Sequence, residues 1–562
     1  MGFMATISII LCCFILISNS LSAFSWEVPE ASPIVKQSCR ATRDPAACQS
    51  MISATGLVPS EGDSTLVVQA AFSASLNYHT KAHSMITDLL GNASIPNYSN
   101  ISRAALPSIN SLLISADRIR SATRSLSKAR VRDARALASA ALSYQHDCWY
   151  NLKTVNNTMP IVWFLDGLLT VSTSNALSML LAIDTTGLDP QSWTLPPRTE
   201  RDGVWENVDK YGFTNPVFNF TNLRVDVTVS KDFYGGSYTT VQEAVDAAPS
   251  NLKGWKWHVI KIKEGVYEEM VRVPYNKTNL VFLGDGVGKT VITGSAGFLG
   301  ITAYDSATVG RNDTMESARI VECYKFFLQI LDQEGVLGDG FRASGITFQN
   351  TARNDTNQAV AFRSSSDLSF IENCEFLGSQ NTLYAHSLRQ IYKSCHIEGT
   401  MDFISGNAAA IFQNCTILVR PRQLNPDQGE SNVIAAHGRT DPAQTTGFAF
   451  IGCLINGTND YMRLYSKNPS VHKNYLGRPR EMYSRTVYIN CTMDEIISPE
   501  GWMPWDKDFA MSTLFYGEFG NTGKGGVVSK RVPWSKQIPQ EYVSTYYVHN
   551  FVQGDEWITL TS

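Results

Sequence analysis

The chain is short of charge. Asp, Glu, Lys and Arg make up 17% of its 562 residues and leave a formal charge of −4, where soluble domains usually carry about a quarter. No basic patch stands out, so nucleic acid is excluded as a partner class. Long apolar runs are lacking too. The N-terminal run Ile7–Ile17, followed by SNSLSA, is too short to span a bilayer. It reads as a cleaved signal peptide over 1–23, although no Lys or Arg precedes it, and not as a stable membrane anchor. There is no Cys/His spacing of the zinc type and no cluster of carboxylates suited to calcium. Neither a metal nor a cofactor is expected.

Cysteines are few, 11 in all, and Cys12 and Cys13 would leave with the signal peptide. Cys39 and Cys48 are close enough for a local disulfide in an oxidising compartment. Sequons at Asn92, Asn97, Asn219, Asn276 and Asn456 fit secretion, whereas Asn414 and Asn490 fall inside predicted strands, where no glycan is expected.

What the chain does have is a repeat. Between Phe370 and Cys415 the pattern apolar, polar, polar, Cys, polar, apolar occurs three times: I371-E-N-C374-E-F, Y392-K-S-C395-H-I and F412-Q-N-C415-T-I. The cysteines are 21 and 20 residues apart, and copies at Cys453 and Cys491 follow at intervals of 38, near two periods. A period near 20 in strand-like sequence predicts stacked coils, a right-handed parallel β-helix. The cysteine ladder leaves two readings open, disulfides between rungs or small thiols filling the interior. Residues one period apart should sit on neighbouring rungs, about 4.8 Å apart. Asn381 and Asp402 are separated by 21, Gln380 adjoins Asn381, and Gln358 lies 22 before Gln380. Spacing therefore gathers Gln358, Gln380, Asn381 and Asp402 on one face of three coils.

The length calls for more than one core. Residues 32–184 read as helical, with apolar residues at three-and-four spacing over Ser64–Leu90, Ile101–Leu126, Asp133–Tyr150 and Trp163–Ile183. Joined by short polar loops, they predict an all-α four-helix bundle. A linker over 185–222, rich in Pro, Gly, Asn and Thr, leads into the β-helix at 223–562, with a capping helix expected at Thr240–Ala248. Residues 311–335 break the rhythm, since their apolar residues follow a helical stripe among strands. Two explanations stay open, a retained intron in the gene sequence or a real surface excursion.

The segments QAVAFR (358–363), GSQNTLY (378–384), GTMDFISGNAAAIFQNC (399–415) and LGRPR (476–480) resemble the motifs of plant pectinesterases (pectin methylesterases). The resemblance runs from about Arg224 to the C-terminus. The helical part, with Cys39, Cys48 and SAALSYQHDCWYNL, is similar to the inhibitor-like pro-region found ahead of many of them. A fourth cysteine of that region is replaced by Ile109, leaving Cys148 without an obvious partner.

The resemblance implies hydrolysis of C6 methyl esters of homogalacturonan (pectin) in the cell wall. It implies Asp402 as nucleophile, Gln380 as oxyanion donor, Gln358 as a second polar contact, and Arg478 as the partner holding Asp402 ionised. Tyr384 and Trp502 would stack on sugar. Judged without the motif, Asp402 is a turn aspartate, and Tyr384 and Trp502 are core residues. Three positions depart from the pattern. Asn381 stands where the family has its acid/base aspartate, Ser405 replaces an aromatic, and Arg480 replaces the tryptophan of LGRPW. An amide cannot shuttle a proton. Arg480 could instead pair with free galacturonate carboxylates. The alternative is a catalytically inactive pectin-binding protein, or an inhibitor of other pectinesterases acting through the bundle.

Overall fold

The computed structural model describes residues 31–57, 63–91, 98–193, 197–206, 218–232, 235–295, 335–352, 359–422 and 428–558. The expected signal peptide, Asn92, Asn97, Gln358 and positions 311–334 of the irregular segment lie outside them.

The cysteine-centred repeat is a corner. Strand Ser369–Glu372 meets strand Glu375–Leu377 at Asn373, and Arg389–Lys393 meets His396–Gly399 at Ser394. Asn373, Ser394, Asn414, Gly452 and Asn490 turn these corners with φ between 51° and 62°. Only Gly, and to a lesser degree Asn and a few others, enter this left-handed region cheaply, which explains the recurring polar residue before each Cys. Asn414 and Asn490 are therefore exposed corner residues and not strand residues as the alternation suggested.

Successive strands stack in register one period apart, Phe370 opposite Ile391 and Ile391 opposite Ile411. They form three parallel sheets of eleven, eight and five strands, the predicted parallel β-helix. Inside, the rings of Tyr392, Phe412, Phe450 and Tyr488 stack in turn at 5.0, 4.7 and 4.4 Å between centroids. Each such pair adds about 0.5–1.5 kcal/mol beyond its buried area. Cys374, Cys395, Cys415, Cys453 and Cys491 are buried free thiols. Cys395 Sγ donates to the carbonyls of Lys393 (3.4 Å) and Ile371 (3.6 Å). The ladder is interior filling, and the disulfide alternative falls away. At the N-terminal end, helix Val241–Ala247 caps the solenoid, with Thr240 and Glu243 bonding each other's backbone N–H.

The bundle comprises helices Ser64–Gly91, Tyr98–Leu126 and Val131–Lys153, and a run over 159–186 with one wider turn at Leu165–Thr170. That run is apolar and long enough to cross a bilayer by composition, but most of its apolar residues are buried against the other helices. Cys39 and Cys48 form the expected disulfide. Cys148 is a free thiol buried in a cluster with Ile109 and Leu112.

Bundle and β-helix are locked together by polar contacts. Arg118 forks onto Asp339 at 2.7 and 2.9 Å. Arg389, already bound to Asp367, also donates to Asp133 of the bundle at 2.7 Å. Ser174 donates to Asp441 at 2.6 Å. The described parts of the linker take part as well. Thr199 and Asp202 cap a turn that buries Glu200 between two β-helix arginines, Arg485 at 3.2 Å and Arg439 at 4.0 Å. Glu206 receives Arg135 of the bundle at 3.0 Å. The described parts of the linker thus bridge the two domains.

Two guanidinium groups thus share one buried carboxylate. Removing it takes away their nearest carboxylate while Glu206 and Asp441 remain close by, so the loss is at most about 3–5 kcal/mol, the cost of a fully broken buried pair. Glu200→Gln should lower the thermal unfolding midpoint clearly below wild type; an unchanged midpoint would show that the bridge carries no stability.

Candidate functional site

Asn381 and Asp402 occupy equivalent positions of neighbouring coils, with φ of 57° and 51°, Asn381 in a turn and Asp402 at an irregularity inside strand Met401–Gly406. The flanking strands fix the register, pairing Leu383 with Ile404 and Tyr384 with Ser405. The backbone therefore favours Asn or Asp at both positions, whatever chemistry they perform. An aspartate-to-asparagine change at 381 keeps the corner and removes only the acid.

The Asp402 carboxylate is held by Arg478 in a two-point fork, Nε to Oδ1 at 2.8 Å and Nη2 to Oδ2 at 2.5 Å. Arg478 comes from strand Lys473–Gly477's end, where its N–H bonds the Ala435 carbonyl at 3.0 Å. Asp402 is 4% exposed. Burial pushes its carboxyl above the ordinary aspartate range, and the Arg478 fork offsets this only in part. The sequence-based expectation of a lowered value is corrected: desolvation outweighs the guanidinium.

Gln380 is half-buried beside Asn381, and its backbone carbonyl accepts from the Ala359 N–H at 3.2 Å. Gln358, one residue earlier, lies outside the described residues. Tyr384 is largely buried, with Arg480 over its ring at 5.6 Å and Arg480 Nη1 within 3.4 Å of its hydroxyl. Ser405 is buried, and its hydroxyl has no hydrogen-bond partner among the described residues.

Trp502 is not an open sugar platform. It is 1% exposed, stacks on Tyr516 at 4.3 Å and donates Nε1 to Glu518 at 3.3 Å. The aromatic that does face outward is Trp505, 41% exposed, with the Arg478 guanidinium 4.2 Å above its ring. Its signal in the sequence is the second tryptophan of WMPW. Which of the two is buried follows from the chain's path after Gly501 and not from residue type.

The bundle reaches this same wall. Helix Val131–Lys153 brings Ser143, His146 and Asp147 against Tyr384, Arg480 and Glu481 around a small cavity. His146 sits 3.1 Å from Glu481, and Asn407 donates to Ser143 at 2.9 Å. Asp147 accepts from His386 Nε2 at 2.7 Å and lies 3.6 Å from Arg363. Buried His386 has its pKa lowered, so the neutral ring donates from Nε2 while Nδ1 accepts from Ser365 or Ser387. His386 and Arg363 hold the half-buried Asp147 carboxyl down at about 2.

A family profile described as Pectinesterase matches residues 226–322 and 333–555, leaving out 323–332 within the irregular segment. A second, Plant invertase/pectin methylesterase inhibitor, matches 33–179. Probable pectinesterase/pectinesterase inhibitor 64 of Arabidopsis thaliana is 47% identical over 543 residues, 94% of this chain and 85% of that one. Probable pectinesterase/pectinesterase inhibitor 41 of the same plant is 32% identical, covering 92% of each. Among solved structures, pectin methylesterase from carrot matches with a TM-score of 0.53 and 39% identity, over 61% of this chain and 99% of that one.

Because the folded Asp147 carboxyl lies below its usual value, its contribution to docking is full at neutral pH. It declines below the ordinary carboxylate value of 3.8 and is lost as pH falls through about 2. Wild type should melt above Asp147→Asn at neutral pH, with the gap closing in acid. A gap that widened between pH 3.8 and about 2 would contradict the assignment.

Proposed function

The chain belongs to the pectinesterase family, and we propose that it hydrolyses C6 methyl esters of pectin with Asp402 as the attacking group. The observation that carries this reading is the Arg478 fork on a buried aspartate at the mouth of a coil corner. Asp402 adds to the ester carbonyl, the oxyanion is met by the Gln380 amide, and methoxide leaves to give an anhydride with the enzyme. Water then cleaves the anhydride, returning Asp402 and leaving the sugar acid. Gln358 is the second polar contact, as the motif implies. Tyr384 and Arg480 line the sugar-binding wall. Arg480 favours neighbouring galacturonates that are already demethylated.

Asn381 sets the limit. Its amide can bond the leaving oxygen, but the proton for methoxide has to come from water. The same residue favours the second reading, a pectin-binding coil with little turnover, because the corner geometry is kept while the acid is lost. The bundle's face toward Tyr384 and Arg480 is engaged within this chain. Inhibition of other pectinesterases would therefore require its release. The proposed site of action is the extracellular wall, supported by the Cys39–Cys48 disulfide, the apolar run at Ile7–Ile17 and the exposed sequon Asn219.

Two outcomes follow for the purified mature chain. Asn381→Asp should release methanol from methylated pectin about 10²–10⁴-fold faster than wild type, the usual worth of a positioned acid–base group; equal rates would refute the role given to Asn381. Arg478→Lys should move the acidic limb of the pH–rate profile upward, because the fork is what opposes the effect of burial on Asp402. A limb that stayed in place or moved down would contradict it.

A further inference from the structure

One column on the outer face of the eleven-stranded sheet runs through Val281, Arg342, Phe370, Ile391, Ile411 and Ala449. Arg342 is the lone charge in that apolar ladder. It is 1% exposed, and its Nη2 donates to the Trp557 carbonyl at 3.0 Å. Nε and Nη1 have no hydrogen-bond partner, and no carboxylate pairs with it among the described residues. Burial draws its pKa down to about 9. The rings of Phe218 and Trp257 face the guanidinium at 3.9 and 4.4 Å. Ring faces return only part of what desolvating an unpaired cation costs.

Beside it lies a cavity of about 370 Å³, within the roughly 300–1,000 Å³ of small-ligand sites. Arg342 forms part of its wall together with Trp255, Trp257 and Trp557. The other arginines there are committed, Arg130 to Asp133 and Arg389 to Asp133 and Asp367. Arg342 is not. Trp255 is 54% exposed. An unpaired buried guanidinium beside indole faces suits a ligand with one carboxylate and an apolar ring face.

We propose that this cavity is a second, non-catalytic site for a uronate residue of an acidic polysaccharide, with its carboxylate at Arg342 and its ring against Trp255. The choice of a sugar acid rests on the reading that the chain meets pectin. The site lies on a different sheet from Asp402, where Asp133 of the bundle meets Arg389. Its occupant would hold the chain on demethylated stretches and bridge the two domains.

The test is calorimetric titration of the intact mature chain with unmethylated trigalacturonate, beside Trp255→Ala and Arg342→Met. Methionine suits the apolar column, and thermal melts check that both variants fold. Wild type should show a binding event that persists in Asp402→Asn. Trp255→Ala should weaken that event about tenfold or more, Arg342→Met should abolish it, and methanol release by Trp255→Ala should stay at the wild-type rate. Binding unchanged in both variants overturns the proposal, as does binding of inorganic phosphate without binding of the trimer. If wild type released no methanol yet kept the Trp255-dependent event, the catalytic reading alone would fail.

Discussion

Every coil of this β-helix has to change direction, and it does so through a residue held in the left-handed region. That constraint fixes where side chains can gather. Asn373, Ser394, Asn414 and Asn490 serve it without chemistry, one above another along the solenoid. Asn381 and Asp402 serve it at a second set of corners, and there a carboxylate faces Arg478. A small residue tolerant of positive φ is therefore required before any catalytic demand is made. The site is built on backbone necessity, and Asn meets the backbone demand at 381 as well as Asp would.

Electrostatics then divides the molecule into paired and unpaired charge. Buried Asp402 and half-buried Asp147 both sit beside basic groups, yet they shift in opposite directions. Asp147 has His386 and Arg363 beside it and is driven down to about 2. Asp402 has the Arg478 fork, but burial prevails and its carboxyl rises. The first behaves as a docking contact kept ionised, the second as a carboxyl that burial makes easier to protonate than an ordinary aspartate. Glu200 extends the same logic to the seam, where one carboxylate answers two arginines. The bundle is thus fastened to the wall that contains Tyr384 and Arg480, and the two domains share one surface.

Much of this was legible in the sequence because it repeats. A period near 20 predicted the coils and the rung relation of Asn381 and Asp402; apolar spacing predicted the four long helices, and the cap expected at Thr240–Ala248 is the helix Val241–Ala247. What was hidden depends on winding and not on pattern. Asn414 and Asn490 looked like strand residues because a one-residue corner does not interrupt alternation. Trp502 and Trp505 differ by three positions and have opposite exposures, which residue type cannot tell. The linker's composition gave no sign that Glu200 would be buried, because the arginines that bury it lie more than two hundred residues away. The effect of Arg478 on Asp402 was overestimated because burial is invisible to a motif. Asp147 and His386 carried no signal beyond their presence in SAALSYQHDCWYNL and LYAHSL.

The central claim is that the corner aspartate at 402, and no other group, attacks the ester. Methanol release from methylated pectin by wild type and by Asp402→Asn, with thermal melts to check that the variant folds, addresses it directly. Wild type should release methanol measurably and the variant none above background. Equal release from both would mean that the ester is cleaved elsewhere.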